Sequence, residues 1–154
     1  KAIFLKNKNY KEVELKEFSI LYLIINNPNI FERKIEILSE LKLYTKICTE
    51  LLNKMIDLLD KKKFNKKSSF AKIFEQTKYY NLIQSIDALA PIKFIIENKK
   101  DENEILLIYE EIVNDLKKIG VNQEIHALEK KLMQDMNEET YKELLNLKKQ
   151  ANNG

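Results

Sequence analysis

The chain has 154 residues, which suits one domain or one domain with an appendage. Its 27 basic and 24 acidic residues leave a net charge of +3, too small to indicate a polyanionic partner. Arg33 is the only arginine, and arginine is the usual reader of guanine edges, so sequence-specific DNA recognition is not expected. The single cysteine, Cys48, excludes an internal disulfide and a cysteine zinc site, and we expect it to be a small core residue.

The spacing of apolar residues predicts helices almost throughout the chain. Two glycines and two prolines leave little turn material for a sheet protein, so we predict an all-α fold. The expected architecture is a bundle of six or seven helices over residues 1–119, followed by a C-terminal helical hairpin over residues 120–154. Gly120 is the predicted division, either as a helix stop or as a weak point within one long helix.

The first firm helix is predicted from about Glu12 to Asn26, after a polar and basic lead-in. Its segment 20–25 is apolar on every side, which is typical of a central helix that others surround. Pro28 ends this helix, because the residue before a proline is pushed out of the α region.

Further helices are predicted between this central helix and Gly120. Segment 61–67, which holds five lysines, is interpreted as a solvated loop, and Asp101 with Glu104 as a capping pair. The predicted segments are Ile30–Leu43, Thr45–Lys61, a short helix capped by Ser68 or Ser69 that carries Phe70 to Thr77, a helix from about Tyr80 to Leu89 that Pro91 stops or kinks before Asn98, and Glu102–Lys118.

The C-terminal segment 121–151 predicts two antiparallel helices joined by a tight turn, with Asn137 as the cap of the second. The second arm has a wider apolar stripe than one neighbouring helix needs. Two interpretations stay open: the hairpin is the last layer of a globular core, or it docks onto another protein. We expect Ile125, Leu128 and Leu132 to face the second arm. The residues predicted to bind a partner are Met133, Tyr141, Leu144, Leu145, Leu147 and Lys148.

The sequence predicts no catalytic residue, no metal site and no cofactor. It lacks a glycine-rich loop, and its one histidine, His126, has no second histidine or cysteine partner with which to build a nucleophilic triad. Five tyrosines at or beside apolar helical stripes are assigned to core packing: Tyr22, Tyr44, Tyr79, Tyr80 and Tyr109. We therefore predict that this chain alone is not an enzyme. With no signal peptide and no apolar run of about 18 residues, we expect a cytoplasmic location without a membrane.

Two stretches resemble a known family. Residues 15–28 (LKEFSILYLIINNP), followed by Ile30 and Phe31, resemble the opening of the C-terminal, helicase-binding domain of bacterial DNA primase. Residues 124–150 (EIHALEKKLMQDMNEETYKELLNLKKQ) resemble the closing hairpin of that domain. The order of helices between them is compatible, so the resemblance spans nearly the whole chain.

This resemblance implies a helical bundle whose hairpin docks onto the N-terminal domains of the hexameric replicative helicase. The zinc-binding and polymerase parts of a primase would lie upstream, which is consistent with a chain that opens at Lys1 without a methionine. The family also implies binding of the acidic tail of single-stranded-DNA-binding protein near the first helix. That helix offers only Lys11 and Lys16 here, among three glutamates.

Two alternatives come from other classes. The N-terminal domain of the replicative helicase shares the bundle fold, although a helicase would continue into a linker and a nucleotide-binding domain. A lysine-rich helical module could instead hold nucleic acid through segment 61–67, and such binding weakens steeply with salt.

Overall fold

The computed structural model describes residues 10–61, 70–93 and 101–153, and within these ranges every regular element is a helix. The all-α fold class is therefore confirmed. Contacts divide the chain into two compact units, Lys1–Val113 and Asn114–Gly154. The helices are α1 (Glu12–Asn26), α2 (Pro28–Glu32), α3 (Ile35–Glu40), α4 (Lys46–Asp60), α5 (Phe70–Ile73), α6 (Tyr80–Leu89), α7 (Glu102–Gln134) and α8 (Glu138–Asn153).

Helix α1 is the centre of the first unit and packs against α2, α4 and α6. Ile20, Leu21, Leu23 and Ile24 are fully buried, although consecutive helical positions point in different directions. A helix that is apolar on every side must be surrounded by other elements. The predicted central position of the first helix is confirmed.

Two asparagines and a proline end α1 and begin α2. The side-chain amides of Asn26 and Asn27 donate to the backbone carbonyls of Tyr22 and Leu23, both at 2.9 Å. The last four carbonyls of a helix lack helical partners, and the Asn27 amide supplies one for Leu23, the first of these four. Pro28 then occupies the first turn of α2, where its missing N–H costs nothing.

The predicted helix Ile30–Leu43 is wrong, because the chain forms α2 and α3 with a turn between them. The backbone leaves the helical region at Lys34 (φ −125°, ψ 32°) and again at Leu41 (φ −69°, ψ 128°). The apolar spacing does not reveal the turn. Phe31 and Leu38, both fully buried, are seven residues apart and would share one face of a continuous helix as well.

Helix α4 follows its predicted pattern. Its buried residues are Cys48, Leu51, Leu52, Met55 and Leu59. Cys48 is therefore confirmed as a core residue.

The tyrosine assignments are confirmed in part. Tyr22, Tyr79 and Tyr109 are buried, and the Tyr109 ring lies 5.3 Å from that of Phe31, centroid to centroid. Tyr44 is an exception, because it precedes α4 in a non-helical segment and its ring is exposed.

Glu17 is a buried carboxylate in the middle of α1, and it fixes the segment that leads into α4. Its side chain is 0% exposed and accepts the backbone N–H groups of Tyr44 and Thr45, the latter at 3.2 and 3.3 Å to the two carboxylate oxygens. Burial raises the pKa of the Glu17 carboxyl, and these hydrogen bonds act in the opposite direction. Thr45 immediately precedes α4, so one side chain of the central helix sets where the next long helix begins.

Helix α7 is continuous through Gly120, so this glycine lies within one long helix and is not a helix stop. A glycine inside a helix costs about 1 kcal/mol relative to alanine, which a helix of 33 residues tolerates. The contacts divide the chain between Val113 and Asn114, before the predicted division at Gly120. Asp101 caps α7 as predicted, because its carboxylate accepts the backbone N–H of Glu104 at 2.8 Å.

Some predicted features lie outside the described residues. These are the lead-in over residues 1–9, most of the lysine-rich segment 61–67, the Ser68 or Ser69 cap, and the continuation from residue 94 to Asn98.

We expect Leu21→Ala or Leu23→Ala to lower the free energy of unfolding by about 2–5 kcal/mol, because each truncation leaves a cavity in a fully packed site. Urea denaturation followed by circular dichroism measures this loss. Leu107→Ala is the matched control, since Leu107 is 59% exposed and should change stability by less than about 0.5 kcal/mol. Equal midpoints for all three variants would contradict the central position of α1.

The burial of Glu17 predicts how the free energy of unfolding changes with pH. A carboxyl whose pKa is raised on folding stabilises the fold fully below its unfolded pKa, and this contribution is lost as the pH rises through the folded pKa. We therefore expect wild type to lose stability relative to Glu17→Gln as the pH rises above the ordinary value of 4.5. The slope for one proton cannot exceed about 1.4 kcal/mol per pH unit. Urea titrations of both chains at a series of pH values across this range measure the difference in the free energy of unfolding. If wild type instead became more stable relative to the variant as the pH rose, the pKa of Glu17 would be lowered on folding.

Candidate protein-docking surface

The hairpin of the second unit is built by a short connection and a side-chain cap. Helix α7 ends at Gln134, and α8 begins at Glu138 after residues 135–137. The side-chain oxygen of Asn137 accepts the backbone N–H of Thr140 at 2.9 Å, so the predicted cap is confirmed. Glu138 and Glu139 occupy the first turn of α8, where the helix dipole favours negative charge.

The buried side of α8 is narrow. Thr140 and Leu144 are buried, and Leu147 is half-buried one turn further on. Residues three and four apart share a helix face, so these three define the inner side of α8. Leu144, which the sequence assigns to a partner, is only 5% exposed. It belongs to the packed face, and its assignment to the partner surface is corrected.

The two arms are joined by an ion pair. The ammonium of Lys148 on α8 lies 3.4 Å from a carboxylate oxygen of Glu129 on α7. Both side chains are about half exposed, and such pairs contribute roughly 0–1 kcal/mol. Lys148, which the sequence assigns to a partner, thus forms its ion pair with the other arm of the hairpin. Ile125, Leu128 and Leu132 are half-buried, and their contact with the second arm stays a prediction.

Large apolar side chains are exposed around the turn. Met133 is 86% exposed, Met136 84%, Tyr141 51% and Leu145 44%, and we call these four residues the apolar tip. Tyr141 and Leu145 are four residues apart and lie on one side of α8, next to its buried side. Singly exposed apolar residues are common on proteins, and the occurrence of four within segment 133–145 makes this segment a candidate interaction surface.

Sequence reasoning identified three of the four residues and missed Met136. The signal was available, because Met136 falls in the predicted break between the two arms, outside the apolar stripe of either arm. The sequence pattern does not show which of Leu144 and Leu145 is buried, because both belong to one wide apolar stripe. Only packing decides this.

The first unit also exposes apolar side chains, namely Ile37, Tyr44, Ile47 and Leu107. The ammonium of Lys42 lies 5.7 Å from the centroid of the Tyr44 ring, so a cation already occupies one face of this aromatic group. Leu107, at 59%, is more exposed than Tyr141 and Leu145, but no side chain of this group is as exposed as either tip methionine. The apolar tip is therefore the stronger candidate for docking.

Cys48 and Tyr109 are buried titratable groups that lie within the packed core. Burial raises the pKa of the Cys48 thiol and of the Tyr109 hydroxyl, each to about 12. Among the residues that the structure describes, no group of three His, Cys, Asp or Glu side chains is placed to hold a metal ion. In the same residues, no helix combines the length and apolar character needed to span a membrane.

Comparison with known protein families, with curated proteins and with solved structures finds no match to this chain. Among the residues that the structure describes, the large apolar side chains with the greatest exposure are Met133 and Met136 of the apolar tip.

The buried thiol predicts chemical inertness. Cys48 is fully buried, and with a pKa of about 12 almost none of it is the reactive thiolate at neutral pH. We expect the native chain not to react with an aromatic disulfide reagent at about pH 8, and to react with one equivalent once denatured in urea. Absorbance of the released thiolate measures both states. Rapid modification of the folded chain would contradict the burial of Cys48.

Proposed function

We propose that this chain is a cytoplasmic, non-catalytic docking module of the replication machinery, and that its hairpin binds the N-terminal domains of a hexameric replicative helicase. The single observation that carries the docking role is the exposure of the apolar tip around the α7–α8 turn. Helix α7 begins within the first unit and continues into the hairpin. In this role the chain would couple primer synthesis to the replication fork.

The residue types of the apolar tip suit a protein interface. Tyrosine and methionine are enriched at the centres of interfaces, and tyrosine is frequent among residues that dominate binding energy. Leu145 extends the surface by one helical turn from Tyr141. Two anchors on one side of a helix match the mode in which a helix packs into an apolar groove.

The choice of partner rests on the sequence. Residues 15–28 and 124–150 resemble the opening and the closing hairpin of the helicase-binding domain of bacterial DNA primase. The second stretch contains the whole apolar tip. The surface singled out by exposure therefore coincides with the segment through which that family docks onto its helicase.

We expect Tyr141→Ala combined with Leu145→Ala to weaken binding to the purified hexameric helicase of the same organism about tenfold or more. Each decade corresponds to about 1.4 kcal/mol, which is typical for the loss of interface anchors. Both side chains are about half exposed and neither lies on the buried side of α8, so the helical content should stay close to that of wild type. Isothermal titration calorimetry measures the affinity, and circular dichroism of the same samples measures the helicity.

The matched control is Tyr44→Ala combined with Leu107→Ala, an exposed tyrosine and leucine of the first unit. This variant should bind as wild type does, and equal affinity of all three chains would refute docking through the tip. A parallel titration with single-stranded DNA at about 50 and 200 mM salt tests the alternative role. Nucleic-acid binding should fall steeply over this range and be insensitive to the tip substitutions.

A further inference from the structure

The three methionines of this chain lie in two opposite environments. Met55 is fully buried in α4, within the core of the first unit. Met133, in the last turn of α7, is 86% exposed, and Met136, in the α7–α8 connection, is 84% exposed. The chain has no other methionine, so two of its three thioethers are presented to solvent at one turn.

Exposed thioethers react with peroxides. The sulfur lone pair attacks one oxygen of hydrogen peroxide, the O–O bond breaks, and the departing oxygen leaves as water after proton transfer. The sulfur is oxidised by two electrons to the sulfoxide, and the peroxide is reduced. The product is polar where the parent side chain was apolar, and sulfoxide reductases restore the thioether, one enzyme for each epimer at sulfur.

We infer that Met133 and Met136 form an oxidative modification site at the apolar tip, and that their conversion to sulfoxides by peroxide switches off docking. The switch rests on the proposed docking function. Two of the four side chains of the tip become polar on oxidation, while Tyr141 and Leu145 remain unchanged. An apolar surface in which two of four side chains become strongly hydrated loses much of its affinity for an apolar groove.

The hairpin itself should survive this modification. The buried residues of α8 are Thr140 and Leu144, and the α8 cap is Asn137, so no sulfur atom of the tip belongs to these stabilising groups. The ion pair between Glu129 and Lys148 involves neither methionine. Oxidation would therefore change the chemistry of the surface without removing the packing that holds the arms.

The test treats the full chain with a limited amount of hydrogen peroxide and maps sulfoxides by peptide mass spectrometry. We expect oxidation at positions 133 and 136 well before position 55, because Met55 is shielded by the core. Calorimetry against the hexameric helicase should then show affinity reduced about tenfold or more, and treatment with both sulfoxide reductases should restore it. Circular dichroism should be unchanged throughout.

The matched variant is Met133→Leu with Met136→Leu, which keeps both side chains apolar and removes both thioethers. Its affinity for the helicase, whatever its starting value, should be the same before and after peroxide. The switch is refuted if oxidised wild type binds with unchanged affinity, if the leucine variant loses affinity equally, or if Met55 is oxidised as fast as the tip. If unoxidised wild type does not bind the helicase at all, the proposed function fails and the switch fails with it. Equal affinity of the oxidised and unoxidised chains refutes the switch alone.

Discussion

Burial of α1 on every side is the constraint from which the first unit is built. A helix with apolar residues in all directions requires neighbours in all directions, and α2, α4 and α6 supply them. Polar side chains of α1 and of the residue that follows it determine where this helix ends and where the segment before α4 is held. The amides of Asn26 and Asn27 end it, and the carboxylate of Glu17 holds the entry to α4. Apolar burial thus supplies the driving force, and a few polar contacts fix the end of α1 and the entry to α4.

The hairpin is stabilised in a different way. The described residues of the second unit include few buried side chains, and an isolated pair of short helices would be marginal in water. Forming the first turn is the costly step of helix formation. The first arm avoids that cost because it continues α7, whose first turns belong to the first unit. Only α8 needs a new start, and Asn137 with the two acidic residues of the first turn provides it.

Features that depend on residues a few positions apart could be predicted from the sequence. Features that depend on contacts between distant parts of the chain could not. The central helix, the Asp101 and Asn137 caps and the core role of Cys48 follow from spacing and residue type within a few positions. Glu17 looks like a surface acid, because its hydrogen-bond partners are 27 and 28 residues away. The turn near Lys34 is hidden for another reason, since the apolar spacing fits one helix as well as two. Leu144 and Leu145 differ only in the direction in which packing turns them.

In α8, buried residues and exposed residues are adjacent in the sequence but distinct, and this would allow the tip to be modified without unfolding the hairpin. Where the same side chains stabilise a helix and form its binding surface, a change that blocks binding also destabilises the fold. Here the buried side of α8 carries Thr140 and Leu144, and the residues immediately after each, Tyr141 and Leu145, are exposed. Sulfur is divided similarly, with Cys48 and Met55 inside the core and the other two methionines at the turn. An oxidant would therefore meet reactive sulfur where the chain can change polarity at little cost in folding free energy.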